Sequence, residues 1–272
     1  MDEMRTGTAA GVPYVALPPA GADAGTAPLV VAWHLMDPPR SEAAMAAALP
    51  LAKLPAWRVY LGLPMFGARS LPGGVEEYFR LAAEDAVRNV YQPVFRQAVD
   101  EFPAAVAALR EDLGAGDGPV GLLGGSAGGA IALLALAERP VPVAAAAVVN
   151  PVSSLARLIA LNEQFFGVSY GWDDGSRAIA AEFEFPRRAT ELAGPPLLLV
   201  DGADDSPQIR EPLAELADAL RPLQPAGGLE RLTVPGLAHA LADEPGLEPA
   251  PQIPGAAAVD TAVTDFFLRN LA

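Results

Sequence analysis

The stretch "VGLLGGSAGGAIALLALAE" runs from Val120 to Glu138. An apolar run of strand length meets two glycines, a serine, an alanine and two more glycines, then becomes an alanine- and leucine-rich segment. This reads as a buried strand that turns sharply into a helix. Gly124-Gly125-Ser126-Ala127-Gly128 fits the pattern G-x-S-x-G. A tight strand-to-helix turn forces its central residue into a strained backbone conformation, and small neighbours are needed for steric relief. Gly125 and Ala127 supply it. The turn lifts the Ser126 hydroxyl above the strand's C-terminal edge. It also puts the Ala127 N–H at a helix N-terminus, where it is suited to an oxyanion.

Outward from this turn, further short apolar runs bounded by Gly and Pro occur at 28–33, 57–63, 119–123, 142–149 and 196–200. Such runs suit strands buried on both faces of a parallel sheet. A sixth run, 229–234, alternates more. Helical patterns lie between them, at 41–52 with Ser41 as N-cap, 75–113, 127–138, 207–221 and 256–271. Pro93 and Pro103 are expected to break or kink the long one. The opening segment, about 4–17, is expected to form an antiparallel hairpin at the sheet edge. The order predicts an α/β fold, a doubly wound, mostly parallel sheet flanked by helices. Residues 151–193 are too long for a plain loop and too apolar for disorder, and read as a small helical cap inserted in a single domain spanning 1–272.

A serine hydroxyl needs a base to take its proton. The chain has two histidines. His239 follows the last predicted strand, where the order Ser…Asp…His requires the base. His34 ends the run "PLVVAWH" and reads as a structural prop. An acid must orient the imidazole, and "DGADD" at 201–205 offers three. Asp205, in the loop beyond the turn, is the choice, with Asp204 the alternative. Asp201 is still on the strand.

These pieces resemble the α/β-hydrolase superfamily: "GGSAGG" at 124–129, "DGADD" at 201–205 and "GLAHA" at 236–240, in that order and each after a predicted strand. The family's Gly-x-x-Asp turn falls on Gly202 to Asp205 and supports Asp205. The family's cap falls on 151–193. Many members carry His-Gly after the strand that "PLVVAWH" resembles, and the next residue donates an N–H to the oxyanion. Here the text is His34-Leu35-Met36-Asp37, so Met36 is the expected second donor beside Ala127, with Leu35 the alternative.

The implied reaction is acyl transfer to water. Ser126 attacks a carbonyl, His239 is the base and Asp205 holds it. A carboxylic ester is the leading substrate, and a peptidase, a thioesterase or an acyltransferase would use the same residues. A peptidase of the prolyl-oligopeptidase type ordinarily carries a large extra domain, for which this length leaves no room. A non-catalytic binding protein on the fold is the remaining alternative. Phe165, Phe166, Tyr170 and Trp172 in the cap, with Leu35, Met65 and Phe66, are candidate lining for an apolar acyl pocket. Arg187 and Arg188 read as an exposed face, and Asp173 and Asp174 as a turn.

Composition sets the outer limits. The chain of 272 residues has no cysteine, which removes disulfides and thiolate chemistry. Two histidines without cysteine make a zinc site unexpected, and no cofactor motif is present. A net charge of −15 argues against a nucleic-acid partner. No run is long and apolar enough to span a membrane, and the N-terminus lacks a signal-peptide pattern, so a cytoplasmic protein is expected. A small-molecule acyl substrate is the expected partner, and a homodimer through the C-terminal helix or an edge strand stays open.

Overall fold

The computed structural model describes residues 4–118 and 120–271. Its sheet contains β1 (Arg5–Ala9), β2 (Val12–Leu17), β3 (Leu29–Trp33), β4 (Trp57–Leu61), β5 (Val120–Gly125), β6 (Val143–Val149), β7 (Leu197–Gly202) and β8 (Leu229–Val234). The order across the sheet is β1-β2-β4-β3-β5-β6-β7-β8. β1 and β2 form an antiparallel hairpin at one edge, and β2 pairs antiparallel with β4. All later pairings are parallel. Pro119, which the expected run at 119–123 included, lies outside the described residues.

The central strands are continuous apolar runs because both of their faces are covered. β3, β4 and β5 are buried along their whole length. On one face lie α3 (Gln92–Leu113), α4 (Ala127–Glu138) and α8 (Pro207–Leu220), which build the larger core. On the other lie α1 (Glu42–Ala48) and α9 (Pro254–Asn270). β8, at the far edge, alternates in exposure, as its sequence does. Ser41 caps α1 by accepting the Ala44 N–H. That helix stops at Ala48, short of the expected residue 52, because Pro50 disfavours a helical Leu49.

Two further elements depart from expectation. The long helical stretch breaks at neither Pro93 nor Pro103. α2 (Gly74–Ala86) contains the break at Asp85, whose φ of −165° and ψ of 95° are not helical. The Asp85 carboxylate then receives the Arg88 N–H at 2.9 Å and starts a π turn over Val87–Tyr91. Pro93 enters in the first turn of α3, and α3 runs on through Pro103. The insertion between β6 and β7 is helical, with α5 (Leu155–Phe166), α6 (Asp174–Glu182), a 3-10 turn (Phe185–Arg188) and α7 (Ala189–Leu192). Asp173 is the N-cap of α6, in a capping box with Ser176, rather than a plain turn residue. Arg187 is exposed, while Arg188 is engaged with Glu191 and with the Glu182 carbonyl.

Candidate active site

The C-terminal ends of β3, β5, β6, β7 and β8 carry the candidate residues, the edge where open parallel sheets bind ligands. Ser126 follows β5 with φ 48° and ψ −115°, the strained turn anticipated from its small neighbours. Glycine is required beside it. A Cβ on Gly128 would collide with the carbonyl oxygens of Trp33 and His34, and one on Gly124 with the Gly128 carbonyl. The backbone of β3 therefore passes directly against the start of α4.

Three side chains from three loops meet. His239 Nε2 lies 2.8 Å from Ser126 Oγ, and His239 Nδ1 lies 2.7 Å from Asp205 Oδ2. The other Asp205 oxygen accepts the Ser206 N–H at 2.6 Å. Asp205 is buried and Asp204 is exposed, so the carboxylate that meets the ring is Asp205. Asp201 is buried elsewhere, accepting from Thr233, Arg210 and Arg231. Burial alone would pull the His239 pKa down. The hydrogen bond and charge of Asp205, with the charge of Asp37, more than offset it and hold the ring above its ordinary value.

His34 is fully buried and has two partners. Leu35 O sits 2.6 Å from Nδ1, and the Leu63 N–H reaches Nε2 at 3.2 Å. A carbonyl can only accept and an amide N–H can only donate, so the ring is the neutral Nδ1–H tautomer. Burial agrees, pushing its pKa down to about 4, with the Leu35 hydrogen bond pulling weakly the other way. The Leu35 carbonyl and the Met36 N–H belong to one planar trans unit and point oppositely. His34 thereby fixes the direction of the Met36 N–H. Arg40 Nε holds the Met36 carbonyl at 3.0 Å. The Leu35 N–H is spent on the Pro39 carbonyl at 3.2 Å, whereas the N–H groups of Met36 and Ala127 meet no acceptor among the described residues.

The expected pocket residues divide. Leu35 is fully buried against Gly125 and belongs to the core, which corrects its assignment to the pocket: without glycine there, its side chain fills the space under β5. Phe66 is half-buried and stacks edge-to-face on Tyr78 at 5.5 Å. Tyr170 and Trp172 pack on each other at 4.7 Å and against the core, and the Tyr170 hydroxyl donates to Asp85. Phe165 and Phe166 are 80% and 55% exposed, on the outer surface of α5.

One residue escaped the sequence reading. Asn150, buried at the end of β6 with φ 44°, donates to the carbonyls of Ala238 and His239 at 2.9 and 3.0 Å. Its Oδ1 accepts the Gly202 N–H at 2.7 Å. It ties the histidine loop to the acid loop. The only signal was an asparagine at a strand end before a proline, which any turn would show.

Among the described residues, no cluster of His, Asp and Glu could hold a metal ion, and no helix is long and apolar enough to cross a membrane. No curated protein matches the chain. Among solved structures, a Thermus thermophilus protein, TT1662, is similar at 23% identity and a TM-score of 0.69, covering 98% of each chain. A puromycin-hydrolyzing peptidase of Mycobacterium tuberculosis is similar at 21% identity and a TM-score of 0.67, over 100% of this chain but 40% of that one. Carboxyl esterase 2 of Tuber melanosporum is similar at 18% identity and a TM-score of 0.60, over 100% of this chain and 88% of that one. Residues 88–246, more than half of the chain, match the prolyl oligopeptidase family. This corrects the expectation that length excludes that branch, since the match runs within this chain from the π turn before α3 through the histidine loop. The chain belongs to the prolyl oligopeptidase family, within the α/β-hydrolase superfamily, and is a serine hydrolase.

Proposed function

We propose that Ser126 is the nucleophile, His239 the general base and Asp205 its orienting acid, and that the enzyme hydrolyses a carboxylic ester of a small molecule. The observation that carries this reading is the hydrogen-bonded chain Ser126 Oγ–His239–Asp205 at 2.8 and 2.7 Å. His239 takes the Ser126 proton as Oγ adds to the carbonyl carbon. The resulting oxyanion is held by the Ala127 and Met36 N–H groups, both lacking other acceptors among the described residues. The imidazolium, held by Asp205, protonates the leaving oxygen as the acyl-enzyme forms. Water then repeats the sequence and frees the acid. Residues 151–193 act as a cap over this centre, within one α/β-hydrolase unit.

A second reading, hydrolysis of an amide or peptide bond, is favoured by the family match. The same residues serve, with the imidazolium protonating an amine. The test is turnover of p-nitrophenyl esters from acetate to decanoate and of aminoacyl p-nitroanilides, with wild type and Ser126→Ala side by side. Ester turnover lost in Ser126→Ala by about 10⁴-fold or more supports the proposal. Anilide turnover without ester turnover moves the enzyme to the second reading. Equal activity in both proteins removes Ser126 from the chemistry.

A further inference from the structure

Asp37 follows Met36 directly and has no part in the chemistry above. Its Oδ2 lies 3.6 Å from His239 Nε2, the ring nitrogen that faces Ser126 Oγ at 2.8 Å. Asp205 binds the opposite nitrogen. The two carboxylates thus flank the imidazole, one buried behind it and one on the side from which substrate must approach. The Asp37 side chain is 54% exposed.

Among the described residues, no arginine or lysine pairs with the Asp37 charge. Among the described residues, His239 is the only basic side chain within ion-pair distance of it. Arg40, three residues on, is committed to both oxygens of Glu244 and to the Met36 and Pro245 carbonyls. The nearby groups on other elements are phenols. Burial first, and then the Asp37 charge, push the Tyr78 hydroxyl up to about 12. Tyr91, whose hydroxyl accepts from Asn162 at 2.7 Å, feels the same charge. These are neutral groups and leave the carboxylate free to take a cation.

A bare carboxylate beside an oxyanion site is unfavourable for an anionic or neutral acyl group and favourable for one that brings its own positive charge. In an α-aminoacyl group the ammonium is two bonds from the reacting carbon. With that carbon at Ser126 Oγ, the ammonium falls in the space that Asp37 borders.

We propose that Asp37 forms a cation subsite that selects acyl groups with a free α-ammonium, so that the substrate is an aminoacyl ester or amide. This rests on the assignment of Ser126 as nucleophile. Asp37 would also stabilise the imidazolium for every substrate, and the two roles separate in a ratio.

The experiment offers alanine and leucine as p-nitrophenyl esters and as p-nitroanilides, each with a free amine and N-acetylated, at pH 6.5. Wild type, Asp37→Asn and Asp37→Glu are compared, with folding checked by thermal melting. The expected result is that wild type prefers the free amine in kcat/KM, that this preference falls about tenfold in Asp37→Asn, and that Asp37→Glu restores part of it. Loss of rate on both forms by the same factor would overturn the proposal, leaving Asp37 as a partner of His239 only. So would labelling of Ser126 by a fluorophosphonate with no turnover of any free-amine substrate. Absence of that labelling would instead overturn the assignment of Ser126, and the subsite with it.

Discussion

The turn at Ser126 and the helical insertion at 151–193 are opposite in construction. Around Ser126 the backbone is pressed against other backbone, from Gly124 to the start of α4 and from Gly128 to the end of β3, and every residue of 120–136 is buried. The insertion leaves Phe165 and Phe166 in solvent and is laced to its neighbours by ion pairs on the surface, among them Arg88–Asp173 and Arg157–Glu211. Such pairs contribute little each. The contrast teaches that positional accuracy is concentrated where the proposed chemistry occurs. The exposed side of the insertion, unlike its buried Phe183, Phe185 and Leu192, can change composition at low cost to the fold. Substrate choice is then the adaptable property, and the geometry of Ser126, His239 and Asp205 the fixed one.

The largest effect should come from breaking the tight region. Gly128→Ala places a methyl on the Trp33 and His34 carbonyls, neither of which is at the end of a flexible side chain. Relief requires separating β3 from α4. Thermal and chemical unfolding should show a loss of about 3 kcal/mol or more. A loss of only about a few tenths of a kcal/mol would mean the turn is looser than its contacts require, and the comparison fails.

Next comes Asn150→Ala. It strands the buried Gly202 N–H and takes the donor from the part-buried carbonyls of Ala238 and His239, at a cost of about 2–4 kcal/mol in stability. It also removes the tie between the loops that carry Asp205 and His239. We expect kcat to fall more than KM rises, because the residue acts through His239 and touches no substrate. An equal change in both would assign Asn150 a purely structural part.

The same contrast explains what the sequence discloses. The strands, the Ser126 turn and the insertion are legible because hydrophobic run length and glycine placement are local consequences of a parallel sheet packed on both faces. Asp205 could be preferred over Asp204 but not separated from it. The separation depends on Asp204 donating its N–H to Leu237 and turning its side chain outward, a long-range contact. Leu35 illustrates the opposite failure. A leucine beside a predicted site reads as pocket lining, yet it fills the volume next to Gly125, and nothing within a few residues of it says so. Asn150 and Asp37 matter only through residues far along the chain, so no pattern announced them. Asp85 breaks its helix where two prolines nearby do not, because its carboxylate caps the following turn.

A smaller effect concerns pH. Proposed general-base action needs neutral His239. Because Asp205 and Asp37 together outweigh burial and raise its pKa, activity should fall as pH drops through a value above 6.5. Asp37→Asn removes one of the two raising charges and leaves Asp205. The acid limb of kcat/KM should therefore move to lower pH, and only slightly, because a half-exposed carboxylate is screened by solvent. An unmoved limb would mean that solvent screens Asp37 from the ring.

The smallest expected change in stability tests the adaptable region. Phe66, Tyr78, Phe79, Phe166 and Phe165 form a relay of edge-to-face contacts, with centroids 5.5, 5.5, 6.3 and 4.9 Å apart in turn. Its inner end is anchored near the site, since the Phe66 N–H bonds to Leu63, whose own N–H bonds to His34. Its outer end stands in water. Phe165 buries too little for its loss to matter to the fold, so Phe165→Ser should shift unfolding by no more than about 0.5 kcal/mol. If the relay guides an apolar acyl chain, the same change lowers the kcat/KM ratio of a decanoate to an acetate ester by a few-fold, about one methylene's worth of contact. A stability loss of several times the expected value would mean that the insertion is as tightly determined as the Ser126 turn. A ratio that does not move would confine substrate selection to the inner wall, at Phe66 and Asp37.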